Sequence, residues 1–293
     1  MRHAAVVVNP TKVGDLGALH KLICTAMSSH GWGDPLWLET TADETGAAQA
    51  KTALAAGVEL VIACGGDGTV TACVAAVAGT SVPLAILPAG TGNLLARNLR
   101  LPLDLGEALV VALTGTDSLL DVGRANEAPF VVMAGLGLDA RMLDSASDEL
   151  KKRAGWLAYA WSLARQLRHR PVRARLRVDG GPAVRRRASA IIVGNVGTLR
   201  AGIPLLPDAK PDDGMLDVVV LTAQGWAAWA TVAAHLMLRR RTTNRVTRMT
   251  CRELRIDVDR EQLWQADGEV LGRTKNLVVT IAPGRLLLRV PAE

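Results

Sequence analysis

Glycines crowded around hydroxyl and carboxylate side chains mark the places in this chain where a polyanion could be held. Gly65-Gly66-Asp67-Gly68-Thr69 follows the apolar run Leu60 to Ala63 after one residue, Cys64. Lacking side chains, its glycines let backbone amides approach a ligand closely. Thr69 is expected to open and cap a helix whose first amides favour an anion, and Asp67 could face a cation or a hydroxyl. One such turn would suit a tight connection equally well. A second, Pro88-Ala89-Gly90-Thr91-Gly92-Asn93, follows the apolar run Pro83 to Leu87 and leads into another helix pattern. Loops after consecutive strands of an open parallel sheet emerge at the same carboxyl edge, so the pair is expected to grip one polyphosphate from two sides.

The elements that must position these loops follow from the hydrophobic pattern. Ala4 to Val8 is a first strand, Asn9 to Gly14 a turn, and about Leu16 to His30 a helix. Leu36 to Glu39 is a second strand, and Thr41 is the expected cap of a helix from Asp43 to Ala56. Strand, glycine loop and helix over Val58 to Ala78 repeat over Val82 to Leu99, which predicts a three-layer α/β domain. From Leu119 the pattern becomes β, placing a boundary between residues 1–122 and a mainly-β sandwich domain at 123–293, with a return of the last strand to the first domain left open. Within that domain, Leu150 to Leu167 reads as an amphipathic helix. Val172, Ala174, Leu176 and Val178 alternate with Arg173, Arg175 and Arg177, a strand with one apolar and one basic face. That basic face suits either a solubilising exterior or anionic lipid headgroups. Ala188 to Gly194 and Val218 to Leu221 are further strands. The nearly uncharged helix Trp226 to Leu238, followed by Arg239-Arg240-Arg241, could cover the β layers or dip into a membrane interface. Leu277 to Ile281 and Leu286 to Val290 are expected to close the β domain.

A length of 293 residues accommodates two cored domains, and a formal net charge of +6 favours an acidic partner: nucleotide phosphates, an anionic membrane surface or nucleic acid. Nucleic acid is disfavoured because Phe and Tyr occur once each and no recognition helix is evident. The four cysteines lack metal-ligand spacing and read as buried, reduced thiols suited to a cytoplasm. The apolar start is too short for a signal peptide, and no stretch is long enough to span a bilayer.

Gly65-Gly66-Asp67-Gly68-Thr69 together with Leu87-Pro88-Ala89-Gly90-Thr91-Gly92-Asn93 resembles the diacylglycerol kinase catalytic family, which includes bacterial lipid kinases and is related to sphingosine kinases. The resemblance implies an NAD kinase/diacylglycerol kinase-like nucleotide-binding domain, with ATP between the domains and Mg²⁺ as cofactor. It implies nucleotide contacts from Asn9, Thr41 (or its neighbour Thr40), Gly65, Gly66, Asp67, Gly68, Thr69, Val70, Thr71, Gly90, Thr91 and Asn93. The turn Asn9-Pro10-Thr11-Lys12-Val13-Gly14 resembles the family's opening motif. From Lys210-Pro211-Asp212-Asp213-Gly214-Met215-Leu216-Asp217, by default an Asp-Gly turn, it implies a magnesium held by Asp213 and by Lys210 and Met215, with Asp121 facing the same network. From Asp267-Gly268-Glu269, by pattern a hairpin turn, it implies Glu269 as the catalytic general base, with Asp67 the competing candidate. Leu94 departs from the family, in which an aspartate commonly follows the asparagine. The expected activity is transfer from ATP to a primary lipid hydroxyl, diacylglycerol first and phosphatidylglycerol or a sphingoid base as alternatives, in phospholipid biosynthesis. The enzyme would be cytoplasmic and peripherally bound to an anionic membrane surface, and a homodimer is left open. NAD kinase, sharing the Gly-Gly-Asp-Gly-Thr loop, is the nearest enzymatic rival. A nonenzymatic basic regulator is the rival from another class.

Overall fold

The computed structural model describes residues 2–137, 171–198, 205–225, 228, 231 and 245–292. The expected helix Leu150 to Leu167 lies outside these, as does nearly all of Trp226 to Arg241. The chain forms two compact units, Met1–Val122 with Ala282–Glu293, and Gly123–Ile281.

The first unit is built on a parallel sheet. Its strands are β1 (Ala4–Val8), β2 (Leu36–Glu39), β3 (Leu60–Gly65) and β4 (Leu84–Pro88). They lie in the order β2-β1-β3-β4, and Leu288 from the chain's last strand pairs in parallel with Leu84 at the β4 edge. Every residue of β1, β3 and β4 is buried, as befits strands covered on both faces. Val6, Val8, Leu60 and Ile62 pack against α1 (Leu16–Ser29) and α5 (Leu105–Thr114) through Ile23, Met27, Leu109 and Leu113. Helices α2 (Ala47–Ala55) and α3 (Asp67–Val77) form the other layer, and α4 (Leu94–Asn98) is a short turn of helix after β4. Asp15 and Asp104 cap α1 and α5 by accepting backbone N–H groups, which fixes where those helices begin.

Two expectations about helix starts are corrected. Helix α2 begins at Ala47, not Asp43, with Gly46 at its N-cap in a glycine-only conformation (φ 137°). Thr41 instead closes a separate turn, accepting the Glu44 N–H at 3.1 Å. Nor does Thr69 open α3. Gly66 is the N-cap, and Thr69 lies buried in the first turn beneath Gly65. The helix therefore begins three residues sooner than a Thr69 cap would place it.

The second unit is antiparallel. β7 (Met133–Leu136), β10 (Ala190–Gly194), β11 (Leu216–Leu221) and β12 (Val246–Cys251) run in the order β12-β11-β10-β7. β7 pairs with the end of β13 (Glu253–Ala266), whose start pairs with β8 (Val172–Val178), itself paired with β9 (Val184–Ala188). β13 therefore serves two layers, bending at a register shift between Asp257 and Gln262. The apolar residues between those layers, among them Leu136, Ile191, Val218, Leu176, Ile256 and Leu277, form the sandwich core. β5 (Thr116–Ala125) and β6 (Ala128–Phe130) make the hairpin at the start of this unit. The two closing strands expected at Leu277 to Val290 are one, β14 (Glu269–Val290), which runs through Gly284. The Asp121 carboxylate accepts the Gly284 N–H at 2.7 Å.

Candidate active site

Because β1, β3 and β4 are parallel, their carboxyl ends share an edge, and three loops leave it side by side. The Asn9 N–H donates to the Cys64 carbonyl and the Ala89 N–H to the Gly65 carbonyl, each at 2.9 Å. The Asn9 carboxamide accepts from the Thr11 N–H (3.0 Å) and hydroxyl (2.7 Å), which shapes the first loop, with Lys12 exposed in it. The two glycine loops press together backbone to backbone. A β-carbon on Gly90 would lie 2.5 Å from the Gly66 Cα, closer than real atoms approach. A β-carbon on Gly65 would meet the Thr69 hydroxyl at 2.6 Å, whereas one on Gly68 would meet nothing.

Asn93 sits in the left-handed conformation (φ 48°, ψ 48°), where its short polar side chain is tolerated. That side chain closes the second loop in both directions, accepting the Gly90 N–H at 3.0 Å and donating to the Gly90 carbonyl at 2.7 Å. Asp67 joins the two loops: its Oδ1 accepts the Leu94 N–H at 2.5 Å. Thus where relatives carry an aspartate, Leu94 contributes its backbone to the loop and buries its side chain. No side chain caps α3, and the first turn of a helix favours an anion. Thr91 is exposed, Thr71 half-buried, and the Val70 side chain packs inward. All of these, with Asn9, belong to one neighbourhood of the first unit.

Of the adjacent threonines, Thr41 is exposed and its hydroxyl is engaged by Glu44. The Thr40 hydroxyl, at the end of β2, is buried with no hydrogen-bond partner. A buried orphan hydroxyl is uncommon without a water or ligand to complete it. Hydropathy could not separate the two; the register of β2 does, because the Thr40 N–H is drawn onto the Val8 carbonyl at 2.8 Å.

In the second unit, Asp267 and Gly268 form a two-residue hairpin between β13 and β14, both with positive φ (46° and 90°), and Ala266 pairs with Glu269 across it. Glu269 is exposed at the start of β14, and Asp267 is buried. The Asp267 carboxylate accepts three backbone N–H groups, from Val131, Val132 and Met133, each at 2.9 Å. Asn195, also buried, donates its backbone N–H to the Val132 carbonyl at 3.0 Å. Sequence reading took Asp267 for a turn residue; nothing local in the sequence shows that its side chain reaches back 134 to 136 positions along the chain.

Asp213 makes a turn before β11, its Oδ1 accepting the Met215 N–H at 3.0 Å while Gly214 takes φ 72°. Asp217, on β11, has its carboxyl pushed up to about 6, by burial first and then by the negative charges of Asp213 and Asp208. Carboxylates crowded this way are relieved by a hard cation, so the donor chemistry around Asp213, oxygen throughout, fits magnesium. Among the described residues no cluster of three or more His, Cys, Asp or Glu side chains forms a metal cage, so any cation here would draw on backbone carbonyls. Lys210 and Met215 flank Asp213 in this unit, whereas Asp121 belongs to the first, where it holds Gly284. Burial drives the thiols of Cys64, Cys73 and Cys251 up to about 12, which leaves them inert.

Residues 3–125 match the diacylglycerol kinase catalytic domain, and residues 131–290 match the YegS C-terminal NAD kinase beta sandwich-like domain. The chain belongs to the lipid kinase family in which these two domains occur together. A Klebsiella pneumoniae protein named "Probable lipid kinase YegS-like" is 30% identical over 250 residues, covering 82% of this chain and 81% of that protein. A Mycobacterium tuberculosis protein named diacylglycerol kinase is 32% identical over 174 residues, covering 57% of this chain and 56% of its own length. The chain thus spans about half the length of that relative. A crystal structure of a Bacillus anthracis diacylglycerol kinase shares the fold at a TM-score of 0.78 and 23% identity, covering 99% of this chain and 96% of that one. Among the described residues, no helix is long and apolar enough to cross a membrane.

Proposed function

We propose that this protein is an ATP-dependent lipid kinase whose acceptor is diacylglycerol and whose product is phosphatidic acid. The observation that carries the reading is the fusion of the two glycine loops by the Asp67 to Leu94 bond, which turns uncapped helix amides and loop backbone into a single polyphosphate cradle. Phosphates lie against Gly65 to Thr71 and Thr91, with Asn9 and Thr40 beside them. Thr40 replaces Thr41 in this role because its hydroxyl lacks a partner.

Glu269 accepts the proton of the lipid hydroxyl as that oxygen bonds to the γ-phosphorus. The bond from the γ-phosphorus to the bridging oxygen breaks, and its electron pair leaves with ADP. Asp67, already accepting the Leu94 N–H, holds the cradle and is the weaker candidate for base. Asp267 positions Glu269 by pinning the hairpin to Val131, Val132 and Met133. A magnesium held by Asp213 and the carbonyls of Lys210 and Met215 would neutralise phosphate charge. The enzyme works as a peripheral protein at the cytoplasmic membrane face, feeding phospholipid synthesis.

The test is transfer of the radiolabelled γ-phosphate of ATP to an extracted lipid pool with Mg²⁺, the product being identified by mass spectrometry. Label in phosphatidic acid is expected. Label in phosphatidylglycerol or a sphingoid base moves the acceptor, and label on NAD alone overturns the reading.

A further inference from the structure

Strands β8 and β9 carry Arg173, Arg175, Arg177, Arg185 and Arg187, all exposed. The register sets Arg173 directly opposite Arg187 and Arg175 directly opposite Arg185. Like charges facing each other across a strand pair destabilise it, and on the other side of β8 a single acidic residue, Asp257 opposite Arg175, answers four facing cations. None of the five guanidinium groups forms an ion pair with a described residue. Asp257 also accepts from Asn276, and Asp259 accepts the Arg173 backbone N–H at 3.1 Å. Arg173, Arg175, Arg185 and Arg187 line an open groove of about 560 Å³ together with Asp257 and Asp259. On the opposite side of β8, Val172, Ala174 and Leu176 are buried in the sandwich, which holds the strand pair rigid and points its cations outward.

We propose that this arginine face is a docking surface for anionic phospholipid headgroups, holding the enzyme at the bilayer from which it draws its acceptor. The proposal rests on the lipid-kinase reading for its choice of partner. Guanidinium groups bind phosphate oxygens in pairs, and facing pairs of them match a surface that presents many phosphates at once. A face without aromatic side chains offers nothing for nucleobases to stack on.

The test uses the full chain, without ATP, sedimented with vesicles of phosphatidylcholine alone or mixed with phosphatidylglycerol. Binding is expected only to the mixed vesicles. The pair Arg173→Gln and Arg187→Gln should weaken it about 25-fold, at about fivefold per arginine. The charge-matched pair Lys21→Gln and Lys51→Gln, on α1 and α2, should leave it within about twofold, since those lysines lie off the proposed surface. Thermal unfolding of the arginine variant, expected unchanged or higher because like charges are removed, separates lost docking from lost folding. Equal weakening by both pairs, equal binding to neutral vesicles, or salt-sensitive DNA binding through these arginines without vesicle binding would overturn the proposal. So would stabilisation by inorganic phosphate with no vesicle binding, which would make the groove a small-anion site. Transfer to a detergent-dispersed short-chain acceptor should be the same in the arginine variant and the parent. If no lipid is phosphorylated while docking still depends on the arginines, the kinase reading falls and the surface stands. Transfer with arginine-independent docking gives the reverse.

Discussion

The proposed phosphate cradle of the first unit and the Asp-Gly-Glu hairpin of the second, with its proposed base, solve opposite problems. The cradle works with backbone: its glycines exist so that two loops can touch Cα to Cα, and its side chains, Asn93 and Asp67, serve mostly to lock that backbone. The hairpin works with a side chain. It exposes one carboxylate, Glu269, and fixes it by burying the carboxylate two residues earlier in three hydrogen bonds. A group that must bind charge can be built from amides that never change protonation. One that must take a proton has to be a titratable side chain, and holding it in place requires a second residue.

That contrast predicts unequal responses to substitution. Asp267→Ala should be the most damaging structural change, because it orphans three N–H groups; a loss of about 3 kcal/mol in denaturant unfolding is expected, with Asp267→Asn recovering part of it. Next, Gly90→Ala should cost about 1 to 3 kcal/mol of stability and weaken ATP binding, since the Gly66 backbone and the Asn93 carboxamide oxygen lie in the path of the new methyl group. Gly68→Ala, where nothing obstructs, should keep or raise stability by up to about 1 kcal/mol as a helix residue, so any loss of ATP affinity there reports the ligand alone. The smallest effect is at the threonines. Thr40→Val should lower ATP affinity about fivefold, the worth of about one hydrogen bond, while Thr41→Val should leave it unchanged by calorimetry. If Thr41→Val were the damaging change, the assignment of Thr40 would be reversed.

How much of this was legible beforehand follows the same division. The cradle could be read because glycine next to an apolar run states its purpose locally, and the parallel order β1, β3, β4 follows from strand and helix alternation. Fine points of the cradle were misplaced for lack of registers. Thr69 looked like a helix cap until Gly66 took that position, and the choice between Thr40 and Thr41 had no burial to guide it until β2 drew Thr40 inward. In the second unit the Asp-Gly turn was readable from its dipeptide, but the anchoring role of Asp267 was not, because its partners are brought to it only by the pairing of β7 with β13. Strands β9, β12 and β13 escaped notice since their polar, half-exposed residues carry no strong apolar run. Helix α5 is apolar enough to be seen, yet it lies between the glycine loops and the β pattern and drew no reading.

The division of labour between cradle and hairpin is tested most directly by Glu269→Gln, measured for ATP affinity by calorimetry and for phosphate transfer to lipid in the same preparation. Unchanged affinity with transfer reduced about 10²- to 10⁴-fold is the predicted result, as expected when a general base is removed. Full transfer by the variant, or transfer and ATP affinity lost together, would contradict it.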